Sequence, residues 1–240
     1  MPGMNDEIVV LAFDIFGTTV DWHTGVARQV DEIATRQGVR LDAEAFADAW
    51  RDRYLPSMRR VNDGERDWAY LDTLHRESLD DLLETQQLGD LFDEEARRQL
   101  VLAWHRLPAW PDAVEGLTRL RRRYVLAALS NGGFALITHL VKAANLPFDC
   151  VLSAELARAY KPDPRPYRTA VALLDVLPER VLMVAAHAWD LDGARDAGLR
   201  TAFLERPQEK GPHRAADRAA DATSDLSVTG FVELAEALGC

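Results

Sequence analysis

Cysteine is scarce: Cys150 and Cys240 are the only two in 240 residues. Two thiols cannot staple a chain of this length, so the fold must rest on a buried core, and a reducing cytoplasm is the expected compartment. Long apolar runs are missing too, and none approaches the ~20 residues that span a bilayer. Basic residues are in deficit, with 28 Lys and Arg against 39 Asp and Glu and a net charge of −11. That balance argues against nucleic acid or an anionic membrane surface as a partner. It leaves room for a small anionic substrate, since one arginine and a few N–H groups outweigh distant charge. The chain has no internal repeat, no glycine-rich phosphate loop and no Cys/His cluster with zinc spacing. The segment Met1–Glu7 is short and acidic and lacks the pattern of a signal peptide. What remains is an ordinary globular composition, long enough for one large core or a core with an insert.

The organising stretch runs from Glu7 to Asp21. Ile8 to Phe13 is unbroken and apolar, which predicts a strand buried on both faces, as in a parallel sheet. The run stops at Asp14, and Phe16-Gly17-Thr18-Thr19 follows as a turn. A carboxylate is thus expected at the carboxyl end of a first, central strand, the edge where open α/β sheets bind ligands. An Asp in that place either caps a turn or carries chemistry, and this stretch alone leaves both open.

Between Thr24 and Leu107 the apolar residues recur at helical spacing. One helix is expected over Val26–Ala34 with Gly38 behind it, a second over Asp42–Tyr54 ended or kinked by Pro56, and two more over Asp67–Glu84 and Asp93–Arg106. Four helices are too many for a simple crossover, so this segment reads as a helical cap over the sheet edge. The domain division is then 1–21 plus 108–240 for the core and 22–107 for the cap. Asp112 can cap a helix to Arg123. Strands follow at Tyr124–Leu129, Phe148–Leu152, Arg180–Ala185 and Leu199–Leu204, with a weak one near Ala222. Helices alternate with them at Phe134–Ala144, Tyr167–Asp175, Asp192–Ala197 and Thr229–Leu238. The polar stretch Glu205–Asp217 has no period and reads as a surface loop. Strands alternating with helices make this an α/β protein with a Rossmann-like parallel sheet, helices on both faces, and an α-helical cap inserted after strand 1.

The topology brings Asp14, Ser130-Asn131, Lys161 and Asp190 to one edge. Each has a bland alternative: turn and cap chemistry for Thr18, Ser130 and Asn131, and a solvated surface group for Lys161. This order resembles the motifs of the haloacid dehalogenase superfamily, and is most similar to the type II, L-2-haloacid dehalogenases. The marks are Phe-Asp-Ile-Phe-Gly-Thr at 13–18, Leu-Ser-Asn-Gly at 129–132, Lys161-Pro162 with Tyr167, Ala188-Trp189-Asp190, and Trp50-Arg51 in the cap. The resemblance covers nearly the whole chain. It implies that Asp14 attacks the α-carbon of a short 2-haloacid and expels halide, and that water then cleaves the Asp14 ester to release a 2-hydroxy acid. Lys161 would hold Asp14 ionised. Thr18, Ser130 and Asn131 would donate hydrogen bonds to the substrate carboxylate and the oxyanion. Arg51, otherwise an exposed helix arginine, would bind the leaving halide. Tyr167 and Trp189 would line the pocket, where otherwise they would be packing residues. Asp190 would position water or pair with Lys161. No metal or cofactor is implied, and a homodimer is expected by analogy.

Two departures bear on substrate choice. Ala185 and His187 stand where most members of the family carry Ser and Asn. His187 is either a hydrogen-bonded histidine after a strand, or a base or halide donor in the pocket. Relatives with His favour small acids such as fluoroacetate or chloroacetate, and Trp22 and Trp189 would narrow the pocket to suit. Three alternatives compete. A magnesium phosphatase on the same fold is disfavoured by Phe16, which replaces the second acid that such enzymes use on the leaving alcohol. A related carbon-centred hydrolase would open a strained ring such as azetidine-2-carboxylate. A non-catalytic binder of small acids would have little need of both Asp14 and Lys161.

Overall fold

The computed structural model describes residues 7–240, so the reading of Met1–Asp6 lies outside the described residues. Six parallel strands form one sheet in the order β3-β2-β1-β4-β5-β6. They are β1 (Val10–Phe13), β2 (Val125–Ser130), β3 (Cys150–Ser153), β4 (Val181–Ala185), β5 (Arg200–Leu204) and β6 (Leu226–Val228). β1 is central, with Leu11 level with Leu126 of β2 and Leu182 of β4. Its four residues are all buried because successive side chains enter two different cores. Leu11 and Phe13 join one, and Val10 and Ala12 join the other.

The helices in chain order begin with the insert between β1 and β2: α1 (Trp22–Arg36), α2 (Ala43–Arg51), α3 (Tyr54–Asn62), α4 (Leu71–Thr85) and α5 (Glu94–Ala103). Then come α6 (Ala113–Leu120), α7 (Phe134–Ala143), α8 (Ala154–Ala157), α9 (Pro164–Leu174), α10 (Ala188–Asp196) and α11 (Phe231–Ala237). Leu117 of α6, Ile137 of α7 and Phe231 of α11 pack into the core that holds Phe13. Tyr167 of α9 and Leu191 of α10 pack into the core on the other face. The chain leaves and re-enters the sheet side by side: Val20 bridges Ala109, Asp21 N–H donates to Pro108 O at 2.9 Å, and Trp110 N–H to Thr19 O at 3.1 Å.

The insert holds five α-helices among the described residues, one more than the periodicity predicts. The stretch expected to be one helix to Tyr54 breaks at Asp52-Arg53, after α2 has been capped by Asp42, whose carboxylate accepts from Ala45 N–H. α3 then starts at Tyr54 with Pro56 in its first turn, where a helix N–H has no intrahelical partner to lose. Pro56 therefore opens a helix instead of ending one. Asp112 precedes α6 but makes no side-chain cap. Its carboxylate accepts from Phe231 N–H at 2.7 Å and tethers α11 instead. The last strand falls at Leu226–Val228, beyond Ala222, and α10 begins four residues earlier than expected, at Ala188.

Candidate active site

Asp14 continues the β1 ladder by one residue, its N–H donating to Val184 O at 3.0 Å, so its backbone is held by the sheet. The chain then turns through Gly17 at a φ of +89°, a region that favours glycine. The turn brings Thr19 Oγ1 onto Asp14 O at 2.7 Å and Thr18 Oγ1 onto Asp14 Oδ2 at 2.9 Å. Thr18 Oγ1 accepts from Ala186 N–H at 2.9 Å, which orients the hydroxyl proton toward the carboxylate.

Lys161 comes from the loop before α9 and is 1% exposed. Its Nζ donates to Asp14 Oδ1 at 3.0 Å, Leu129 O at 2.9 Å and Asp190 Oδ2 at 2.5 Å. Three acceptors satisfy all three ammonium protons, so the hydroxyl missing at Ala185 leaves no gap. Asp190 sits in the first turn of α10, and Tyr167 Oη donates to its Oδ1 at 2.6 Å. Asn131 grips the Lys161 main chain from both sides, accepting from its N–H at 2.7 Å and donating to its O at 3.2 Å. Burial alone would raise the Asp14 carboxyl, but the charge of Lys161 and the bond and charge of His187 hold it below the ordinary carboxylate range. Burial likewise would lower Lys161, and the two carboxylates outweigh it. Asp190 ends above its ordinary value, with burial as the main cause, Lys161 opposing and the charge of Asp14 adding.

His187, the residue before α10, bridges two acids. Its Nδ1 lies 3.2 Å from Asp14 Oδ2 and its Nε2 3.2 Å from Glu209 Oε1. Burial would lower its pKa, but the charge of Glu209 and the bonds to both carboxylates push it up to about 10. At neutral pH both ring nitrogens therefore donate, and the ring has no lone pair to take a proton from water. In the resting site both ring nitrogens face carboxylate oxygens, an arrangement that suits a donor. Glu209 also accepts from Trp22 Nε1 at 2.6 Å. Burial would raise it, but His187 foremost, then Arg51 and Trp22, hold it at about 2.

The cap supplies Arg51, at the end of α2. Its guanidinium lies among aromatic rings, 3.9 Å from the Tyr54 centroid and 5.1 Å from that of Trp22. Its Nη1 is buried without a hydrogen-bond partner among the described residues. Arg51, Trp22, Tyr54, Leu55, His187 and Trp189 line a cavity of about 220 Å³. Trp189 stacks on His187 with centroids 5.4 Å apart, so it is a wall of this cavity. A second cavity of about 140 Å³ shares Leu55 and Trp189 and reaches Lys161. Among the described residues no group of three or more His, Cys, Asp or Glu is arranged to hold a metal ion.

The model of the haloacid dehalogenase-like hydrolases matches residues 8–198. The chain belongs to that family. It is 36% identical to the (S)-2-haloacid dehalogenase 4A of Burkholderia cepacia over 207 residues, 85% of each chain. The crystal structure of a defluorinating L-2-haloacid dehalogenase superimposes with a TM-score of 0.94 at 41% identity, covering 97% of this chain and 96% of that one. A structure of the L-2-haloacid dehalogenase of Xanthobacter autotrophicus with chloropropionic acid covalently bound matches this chain with a TM-score of 0.79 at 27% identity, covering 95% of this chain and 97% of that one.

In this hydrolase the sheet edge gathers Asp14, Thr18, Lys161, Tyr167, His187 and Asp190, while Arg51 and Trp189 border the cavity. Ser130 and Asn131 lie behind it: Ser130 Oγ accepts from Gly132 N–H at 3.1 Å, and the Asn131 amide is engaged with Lys161. Asn131 thus positions Lys161, and its side chain also reaches Tyr54 at the cavity. Sequence reasoning missed Tyr54, because the helix that carries it was merged with the one before. It also missed Glu209. The stretch Glu205–Asp217 is irregular, yet it folds over the site and buries Arg206 and Glu209. The one available signal was a carboxylate close behind the apolar run of β5, in a loop that begins at the ligand-binding edge.

Proposed function

We infer that this hydrolase cleaves the carbon–halogen bond of short 2-haloacids and releases 2-hydroxy acids through an ester on Asp14. In the first step a carboxylate oxygen of Asp14 forms a bond to the α-carbon, and the carbon–halogen bond breaks with its electron pair leaving on halide. In the second, water adds to the Asp14 carboxyl carbon, and the acyl–oxygen bond breaks. The released oxygen takes one proton from the water, and the other goes to solvent as the carboxylate is restored. The observation that carries this reading is the pairing of an ionised Asp14, held by Lys161 in a buried site, with a cap guanidinium that has an N–H to spare. Arg51 receives the halide as its charge develops. Thr18 and His187 face Asp14 Oδ2 and stabilise the oxyanion, and Trp189 limits the size of the acid. Asp190 and Tyr167 keep Lys161 in place. The buried aromatic Phe16 offers no proton to a leaving alcohol, which separates this site from a phosphomonoesterase.

Residues 1–21 and 108–240 act as the core and 22–107 as the cap, the protein works in the cytoplasm, and the enzyme is a homodimer that needs no cofactor. No helix among the described residues is long and apolar enough to cross a membrane. The test is halide release from a panel of 2-haloacids, fluoroacetate and chloroacetate included, with chelator present. Activity is expected to persist in chelator and to vanish in Asp14→Asn. In a single turnover in heavy-oxygen water, the new oxygen of the product comes from Asp14. Strict magnesium dependence with a phosphate ester as best substrate, or solvent label in the first-turnover product, overturns the reading.

A further inference from the structure

Glu209 is a buried carboxylate in a loop, and two independent features show that the fold is built around it. The first is Gly17, in the turn behind Asp14: a Cβ there would lie 2.5 Å from Glu209 Oε1, so any side chain would displace the carboxylate. The second is Trp22, the first residue of α1, whose only polar atom donates to the same oxygen. Both place Oε1 against His187 Nε2, on the side of the ring opposite to Asp14. Asp14, His187 and Glu209 thus form a line of acid, imidazole and acid running from the nucleophile into the loop after β5.

The charges facing this ring come from several elements. Asp14 follows β1, Glu209 lies beyond β5, and Arg51 of α2 acts on Glu209. Asp52 and Tyr54 on the cap, and Lys210, Arg214 and Asp217 on the loop, border the same cavity. Lys161 reaches Asp14 and Asp190 reaches Lys161, and neither is recorded in a hydrogen bond to the ring. In the resting enzyme either acid could hold the imidazole protonated. During the reaction the two differ, because Asp14 becomes a neutral ester and Glu209 does not.

We propose that Glu209 is a positioning residue that keeps His187 doubly protonated while Asp14 is esterified, so that a charged N–H faces the Asp14 carbonyl when water attacks. The inference rests on the reading of Asp14 as the nucleophile. In the ester, Oδ2 is the carbonyl oxygen if Oδ1 has made the bond to carbon. Oδ2 already has two donors, Thr18 Oγ1 and His187 Nδ1, and Oδ1 has only Lys161. As water adds, the carbonyl electron pair moves onto Oδ2, and a preorganised cationic donor stabilises it more than a neutral one. Without Glu209 the ring would lose its proton once Asp14 is neutral. It would become a weaker donor, free to adopt the tautomer that presents a lone pair to the oxyanion.

The experiment has two arms. In rapid-quench reactions with (S)-2-chloropropionate, Glu209→Gln should keep a halide burst within about twofold of wild type and slow ester cleavage by about 10²-fold, the loss of one oxyanion donor. The deficit should widen as pH rises from 6 to 9, and the Asp14 ester should be trapped by mass spectrometry. In the second arm Asp14→Asn stands in for the neutral ester, and the ring nitrogens of His187 are followed by nitrogen-15 NMR. Both should stay protonated at pH 8 in Asp14→Asn, and one should lose its proton in Asp14→Asn with Glu209→Gln. A neutral His187 in Asp14→Asn overturns the proposal, and that measurement needs no change at Glu209. An ester step that is unaltered in Glu209→Gln, or a lost burst with no ester, overturns it as well. If the wild-type enzyme releases no halide, the dehalogenase reading fails while the NMR result still decides the role of Glu209.

Discussion

The two halves of the site are built on opposite principles. On the core side the charged groups around Asp14 are matched, while Glu209 Oε2 is buried without a hydrogen-bond partner among the described residues. Lys161 has three acceptors, Asp190 has Lys161 and Tyr167, and Asp14 has Lys161, Thr18 and His187. On the cap side several buried polar atoms are unspent. Arg51 Nη1, Trp104 Nε1 and both ring nitrogens of His75 are buried without hydrogen-bond partners among the described residues. His75 stacks on Trp104 with centroids 4.4 Å apart, and its pKa is pushed down to about 3, first by burial and also by Arg51 and His105. It is therefore neutral and leaves Arg51 as the charge of that wall. A matched network fixes a nucleophile before substrate arrives. An unmatched guanidinium in an aromatic box carries a desolvation cost until an anion supplies the missing acceptor. On the proposed mechanism the core half is organised for the ground state and the cap half for the charge that appears later.

Breaking the matched half has the largest expected effect. Lys161→Met leaves Asp14 and Asp190 buried without their shared cation. Removing one partner of a buried ion pair costs about 3–5 kcal/mol. Thermal unfolding at neutral pH should shift by that amount, and the halide burst should disappear. The pH dependence has a definite sign. The Asp14 carboxyl is depressed in the folded enzyme, so its contribution to stability is present above the unfolded value near 3.8 and is lost as pH falls below it. The gap between wild type and Lys161→Met should therefore be widest near neutral pH and should narrow below about pH 4. An equal gap at every pH would mean that Lys161 contributes packing and not charge.

The same contrast explains what could be read from the sequence. β1 and Asp14 were legible because burial on both faces demands an apolar run and the run stops abruptly at a charge. Lys161, Tyr167 and Asp190 were legible through the resemblance to the dehalogenase motifs. Their joining into one network was not, because hydrogen bonds between residues 23 to 147 positions apart leave no periodic trace. The break between α2 and α3 was invisible for a local reason: Pro56 signals a helix end and a helix start equally well, and only the turn at Asp52-Arg53 decides. Glu209 was the hardest to see. A polar loop without period is usually exposed, and what buries this one is contact with Trp22 and His187, two residues set far apart from it in the chain.

The unmatched half is sharpened by a smaller change. Arg51→Lys keeps the charge but removes the planar fork and moves a compact, strongly hydrated ammonium into an aromatic box. If the spare N–H serves the developing halide, the rate of the burst should fall by about 10–100-fold with little change in substrate binding, since the interaction strengthens only as the bond breaks. A rate left unchanged with weaker binding would move Arg51 to the substrate carboxylate and would put the unspent donors to work in the ground state.

The smallest expected effect tests how the halves are held together. Arg214, in the loop that carries Glu209, reaches Asp48 Oδ1 at 3.2 Å and Asp52 Oδ1 at 2.6 Å. Asp48 lies on α2 and Asp52 directly after it, so this pair straps the loop from the core to the helix that ends in Arg51. Arg214 is about one-third exposed, and ion pairs of this kind contribute roughly 0–1 kcal/mol to stability. Arg214→Gln should therefore leave the melting temperature nearly unchanged. Its consequence should be positional: without the strap, Arg51 and Glu209 sample more arrangements relative to Asp14. KM for a 2-haloacid should rise about two- to fivefold, with a burst rate that is nearly intact at saturation. Because the strap is partly solvated, raising the salt concentration should weaken wild type toward the variant and close the difference in KM. A difference that persists unchanged in high salt would mean that Arg214 acts on the substrate directly, as a cation at the cavity mouth, and not by joining the matched half of the site to the unmatched one.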